Sequence, residues 1–143
     1  MDCIVRGVVD SDKSFIYNSY LLNCRETYPL NVIPKSIYFP GQQRCIDHIL
    51  TIGTTLVACF PEDPNEILGY VIFEPGDTPV LHYVYSRRSG RGVFRSLMTA
   101  AVGDSKLVVA THVPRRWKKL KELLEPAHVV YDPYNLRDRM VRQ

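Results

Sequence analysis

The chain has 143 residues, 45% of them hydrophobic and 23% charged, a length at which one domain buries most of its unfolded surface around a single core. That composition excludes the disordered and fibrous classes. No apolar run approaches the roughly 18 to 20 residues that span a bilayer, and Met1-Asp2-Cys3-Ile4-Val5-Arg6 does not read as an export signal, so a cytoplasmic protein is expected. The net charge is +3, yet ten of the 18 Lys and Arg fall between Arg87 and Lys121, against Asp104 alone, which favours an anionic ligand or partner on the C-terminal half.

In chain order, Cys3–Val9 is β-branched and loosely alternating, a strand. Asp10-Ser11-Asp12 then supplies N-cap candidates for a helix through Arg25, ended by Tyr28-Pro29. The segment Pro29–Gly41 carries three prolines and is expected to be an ordered loop and part of an acceptor wall. Gln42–Ile52 has helical spacing and stops at Gly53. Thr54–Phe60, Ile67–Glu74 and Val80–Tyr85 read as strands of an antiparallel meander, separated by turn residues. After Gly92 the period changes: Val93, Leu97, Met98, Ala101 and Val102 make an amphipathic helix closed near Gly103. Leu107–Thr111 is a buried strand. Pro114 precedes a helix over Arg115–Leu124 with Trp117, Leu120, Leu123 and Leu124 inward, Val129-Val130-Tyr131 is a last strand, and Asn135–Gln143 is a polar tail. The sum is β-α-α-β-β-β-turn-α-β-α-β: an α/β (mixed α+β) fold in which a central mixed sheet carries helices on both faces. Cys3, Cys24, Cys45 and Cys59 form no C-x-x-C pair and read as buried, reduced thiols; no metal site is expected.

A strand that feeds a glycine-and-arginine turn opening a helix, in this order of elements, resembles the GNAT N-acetyltransferase superfamily over nearly the whole chain. The resemblance rests on Leu68-Gly69-Tyr70-Val71-Ile72-Phe73 and on the stretch from Leu81 to Ala101. The wording His82-Tyr83-Val84-Tyr85, Thr111-His112 and Tyr131-Asp132-Pro133-Tyr134 is also similar to small GNAT-like proteins of tailed phages. It implies acetyl-CoA as cosubstrate and an amine acceptor, a small molecule or a protein, that no motif identifies.

The turn suits a pyrophosphate. Backbone N–H groups converge at a helix N-terminus, and glycines let the backbone approach without a Cβ clash. Gly90, Gly92 and Val93 fit that role, with Arg87, Arg88 and Arg91 to neutralise phosphate, while Val84 and Tyr85 on the preceding strand would offer backbone groups to pantetheine. The family pattern R/Q-x-x-G-x-G/A can be laid on Arg87-Arg88-Ser89-Gly90-Arg91-Gly92, or two residues later. The later register puts Leu97 rather than Arg95 at an apolar core position of the helix. It also places Phe94 where a small residue is usual, where it would crowd the phosphate.

The resemblance further implies a base for the amine and an acid for the thiolate, the acid often a Tyr in the helix after the fifth strand. Arg115–Leu124 contains no Tyr. The candidates are therefore His82, Tyr83, Tyr85 and His112, with Glu74 weighed as a solvated turn residue. Strand alternation puts His82 and Tyr83 on opposite faces, so that at most one meets the cleft. Three functions follow: an acyl-CoA-dependent N-acyltransferase working by direct amine attack; an inactive GNAT-like interaction or virion-associated protein; and a basic nucleic-acid-binding module, suggested by Arg115-Arg116-Trp117-Lys118-Lys119-Leu120-Lys121, a run read first as a solvated helix face.

Overall fold

In the computed structural model, which describes residues 3–25, 30–87, 92–112 and 117–133 (the backbone alone at Trp117), six strands form one sheet in sequence order. These are β1 (Ile4–Gly7), β2 (Thr54–Phe60), β3 (Asp63–Glu74), β4 (Val80–Ser86), β5 (Leu107–Ala110) and β6 (His128–Tyr131). The first four pair antiparallel; β4 with β5 and β5 with β6 pair parallel. Four helices complete the order: α1 (Lys13–Cys24), α2 (Lys35–Ile52), α3 (Val93–Val102) and α4 (Trp117–Leu124).

The helices cover both faces, as the mixed pattern requires. β3 is buried on both sides, which is why it reads as an unbroken apolar run instead of an alternating one. Val71 and Phe73 pack with α3 and α4, whereas Tyr70 and Ile72 pack with α1 and α2. On α3, Val93, Phe94, Leu97, Met98, Ala101 and Val102 are all buried, a single stripe at helical spacing. Its C-terminal stop is Gly103, at φ 52°, whose N–H bonds Thr99 O. Leu120 and Leu124 of α4 are buried as expected, Lys118 and Lys119 are exposed, and the inward placement expected of Trp117 lies outside the described residues.

Three segments differ from the sequence pattern. β3 starts at Asp63 and not at Ile67, so that Asp63-Pro64-Asn65, expected in a turn, extend the strand, with Asp63 facing Phe60 of β2. β1 is shorter than Cys3–Val9, because Val9 turns out of the sheet into a 3-10 turn at Asp10–Asp12. The expected loop Pro29–Gly41 is helical from Lys35, so α2 runs through Pro40. A proline inside a helix removes one backbone hydrogen bond and crowds the carbonyl four residues earlier, at a cost of about 3 kcal/mol. Tertiary packing offsets this: Tyr38 is 2% exposed, its hydroxyl bonds Leu21 O on α1, and the Arg25 guanidinium lies 5.1 Å over its ring. The cysteines are all free, but only Cys59 is fully buried.

Asp12 does not cap α1. It forms a two-pronged ion pair with Arg6 (2.7 and 2.9 Å) and accepts the Val9 N–H, while Arg6 reaches Pro64 O. The Arg6 hydrogen bonds hold the Asp12 carboxyl below its ordinary value. A lowered carboxylate stabilises the fold above its unfolded pKa and loses that contribution as pH falls through the folded one. Asp12→Ala should therefore cost about 2–4 kcal/mol at pH 7 in urea denaturation, and the difference from wild type should shrink towards pH 3.

Candidate functional site

The β4–β5 junction is where the sheet changes character. These strands pair only at Val80↔Val109 and Leu81↔Ala110, and Leu81 O accepts the Thr111 N–H at 2.9 Å. Beyond that point β4 continues to Ser86 bonded to β3, with no β5 pairing among the described residues. The antiparallel ladder fixes which groups are left over. Arg87 N bonds Leu68 O at 2.8 Å, so by alternation Tyr85 and Tyr83 exchange hydrogen bonds with β3, and the N–H and C=O of Val84 and Ser86 turn towards the split.

A bulge at His82 sets the side chains. Phe73 faces Leu81 and Ile72 faces Tyr83, leaving His82 as the extra residue on β4. Leu81 and Val84 consequently pack on the α3 side, and Tyr83 and Tyr85 on the α1–α2 side. Simple alternation, which was the basis for putting His82 and Tyr83 on opposite faces, fails at this residue. His82, 4% exposed, instead reaches across the junction: Nε2 lies 2.7 Å from Glu74 Oε2 and Nδ1 lies 3.0 Å from Thr111 Oγ1. Thr111 Oγ1 is in turn 2.9 Å from His112 Nδ1, and His112 Nε2 is 4.0 Å from Cys45 Sγ on α2. Glu74 is thus a partner of a buried histidine and not a solvated turn residue. Thr111, which links the two histidines, was singled out in the sequence only as part of the Thr111-His112 wording and not as a site residue.

Burial dominates the electrostatics here. It pushes His112 down to about 4, aided by the neighbouring His82, so its imidazole is neutral near pH 7. Burial also lowers His82, against the opposing pull of Glu74. Tyr83 lies 4.8 Å from the Tyr20 ring and 6.0 Å from Tyr70, and burial raises its hydroxyl well above the ordinary tyrosine value. Tyr85 stacks on Tyr70 at 5.4 Å and meets Phe15 edge-on at 5.8 Å. An aromatic wall from α1 and β3 therefore flanks the split on the side where His112 sits, 6.4 Å from Tyr20.

On the other side of the split, α3 is preceded by Gly92, which adopts φ 70°, a left-handed conformation that favours glycine, with no described atom within 4 Å of where a Cβ would be. The start of this helix lies tight against β3. A Cβ on Gly69 would stand 2.4 Å from Tyr85 O and 2.9 Å from Val93 Cγ1. Val93 and Phe94 both turn their side chains into the core, Phe94 being 9% exposed, and not outward from the start of the helix as the expected crowding requires. Leu97 is fully buried and Arg95 exposed, the burial that the later register requires. Arg87 pairs with Glu66 at 2.7 Å and bonds Ile67 O. Arg88, Gly90 and Arg91 lie outside the described residues.

Among the described residues no group of three His, Cys, Asp or Glu could hold a metal ion, and no helix is long and apolar enough to cross a membrane. A separate cleft of about 380 Å³, bordered by Arg95, Lys106, Leu123 and Pro126, opens at the far end of α3, away from His112.

The sequence matches no protein-family model and no curated protein. Solved structures do match. A possible acetyltransferase from Clostridium difficile is 13% identical with a TM-score of 0.57, over 94% of this chain and 97% of that one. The histone acetyltransferase HPA2 and related acetyltransferase from Corynebacterium glutamicum is 18% identical with a TM-score of 0.55, over 87% and 84%. The ribosomal-protein-S5-alanine acetyltransferase from Vibrio fischeri is 19% identical with a TM-score of 0.50, over 87% and 79%. At these identities the likeness establishes the fold, which is that of the GNAT-type acetyltransferases.

Proposed function

We propose that the protein is an acyl-CoA-dependent N-acyltransferase that passes an acetyl group from acetyl-CoA to an amine in the split between β4 and β5. The observation that carries this reading is the β4 edge beyond Leu81, which no described strand pairs on the β5 side, close to the start of α3, since Tyr85 O and Val93 Cγ1 both crowd Gly69. A pantetheine arm is a chain of amides and needs a strand-like partner; the Val84 and Ser86 backbone groups offer one. A pyrophosphate needs convergent N–H groups and partial positive charge, which a helix N-terminus supplies. Gly92 leaves room there, and Val93 contributes through its backbone because its side chain is in the core. Arg87, Arg88, Gly90 and Arg91 complete the phosphate contacts in this reading, Arg87 by exchanging its exposed pairing with Glu66 for phosphate.

The thioester carbonyl then lies along β4, and the Val84 N–H stabilises the oxyanion that develops when the amine attacks. His112, neutral and on the aromatic side of the split, is the base for the amine proton. Tyr83 and Tyr85 shape the acceptor side. Their packing against Phe15, Tyr20 and Tyr70 fits walls better than proton donors, since burial holds the Tyr83 proton more tightly than usual.

Calorimetric titration with acetyl-CoA tests the reading. Saturable binding in the micromolar range is expected, reduced to an undetectable level by Gly92→Asp, which adds a like charge and a Cβ where the phosphates approach. Absence of binding to the wild-type protein would leave the inactive GNAT-like protein as the surviving reading, with salt-dependent nucleic-acid binding as its competitor.

A further inference from the structure

Resting on the acyltransferase reading for its chemistry, we infer that Glu74, His82, Thr111 and His112 form a proton relay that presents the bare Nε2 of His112 to the acceptor amine and stores the abstracted charge on His82 beside Glu74.

The direction of the chain follows from what each group can donate. An ionised carboxylate only accepts, so Glu74 Oε2, 2.7 Å away, receives a proton from His82 Nε2. A neutral His82 protonated at Nε2 has a lone pair at Nδ1, and the Thr111 hydroxyl donates to it at 3.0 Å. The alternative acceptor for that hydroxyl, Leu81 O, is farther, at 3.3 Å. With its proton committed, Thr111 Oγ1 accepts from His112 Nδ1 at 2.9 Å. In this relay His112 is the Nδ1–H tautomer with its lone pair on Nε2, its ring also hydrogen-bonded to the His82 backbone. The Cys45 thiol, 4.0 Å from that nitrogen, can only donate weakly to it.

Both ends suit the task. His82 and Thr111 are nearly sealed from solvent, at 4% and 7% exposure, so the chain is not short-circuited by water. The Glu74 side chain retains 19% exposure, so the far end of the chain reaches towards solvent. When the amine nitrogen bonds the thioester carbon, one N–H proton moves to His112 Nε2. The Nδ1 proton of His112 passes to Thr111 Oγ1, and the Thr111 proton passes to His82 Nδ1. His82 becomes an imidazolium paired with the Glu74 carboxylate, so no isolated charge is left at His112. When the C–S bond breaks, the sequence reverses and His112 Nε2 returns the proton to the coenzyme A thiolate. The nitrogen has lost one proton and the sulfur has gained one. No tyrosine acid is required, which agrees with the lack of one in α4. His48 on α2 acts electrostatically on His82 and opposes its charging, whereas Glu74 favours it; Tyr20 and Cys45 face His112.

Histidine tautomers can be read directly by long-range ¹H–¹⁵N correlation on the ¹⁵N-histidine-labelled protein without any substrate. The expected result near pH 7 is an Nδ1–H tautomer at His112 and an Nε2–H tautomer at His82. Thr111→Val, which keeps the shape and removes the hydroxyl, should release the His112 preference, and Thr111→Ser should restore it. An Nε2–H tautomer at His112, or an unchanged tautomer in Thr111→Val, overturns the relay. If acetyl transfer is detected, Glu74→Gln should lower kcat by about tenfold or more with KM for acetyl-CoA within about twofold. A change confined to KM, with kcat intact, overturns the relay as well. The tautomer arm decides the matter even for a protein that transfers no acyl group, so failure of the relay and failure of the acyltransferase reading give different results.

Discussion

His112→Asn is expected to lower kcat for acetyl transfer by about 10²–10⁴-fold, the range contributed by a positioned general base, while leaving acetyl-CoA affinity within about threefold. The asparagine amide can still donate to Thr111 Oγ1 from the position that Nδ1 occupies, so the buried chain keeps a donor and the fold is little disturbed. What disappears is the lone pair at Nε2. The wild-type pH profile carries a matching expectation. A base works only when deprotonated, and burial holds His112 at about 4, so kcat with saturating amine should show no acidic limb near the ordinary histidine value of about 6.5. A limb at 6.5, or a His112→Asn enzyme with normal kcat, would remove His112 from the chemistry. Single-turnover measurements with preloaded acetyl-CoA separate this effect from binding.

Gly69→Ala should destabilise the protein by about 3 kcal/mol, at the upper end of the usual range for overpacking, and should weaken acetyl-CoA binding in parallel. The added Cβ would meet Tyr85 O at 2.4 Å, Val93 Cγ1 at 2.9 Å and Leu97 Cδ1 at 3.2 Å. The first of these is a backbone carbonyl held in the β3–β4 ladder, which cannot swing aside as a flexible side chain can. Relief must come from the first turn of α3 lifting off the sheet. That movement shifts the helix N-terminus relative to the Val84 edge, the two features that the proposed site needs side by side. Urea denaturation and calorimetric titration on the same sample check both effects. A stable Gly69→Ala protein with unchanged affinity would show that the start of α3 is not pinned at this glycine.

Some of these features can be read from particular residues. The α3 stripe is legible because Val93, Leu97, Met98, Ala101 and Val102 recur at helical spacing, and the β2–β3–β4 meander because its turns are rich in Pro, Asp and Gly. The segment over Lys35–Gly41 is not, because the local cost of Pro40 points away from helix and the compensating burial of Tyr38 against α1 is a long-range contact. Phe94 misleads for a similar reason: a motif places a residue in a sequence position, but the helix rotation decides whether its side chain meets a phosphate or the core.

By itself, then, the sequence determined the order of elements, the mixed sheet with helices on both faces, and the strand–turn–helix unit around Gly92, since these follow from local periodicity and backbone preference. It also named His82 and His112. Only the tertiary structure decided what those histidines touch. The bulge at His82 and the end of β4–β5 pairing at Leu81 are properties of strand register, and register brings Glu74, His82, Thr111 and His112 into one hydrogen-bonded line from three separate strands. No local pattern encodes a contact between Glu74 and Thr111 through a histidine, because it exists only once the strands are laid side by side.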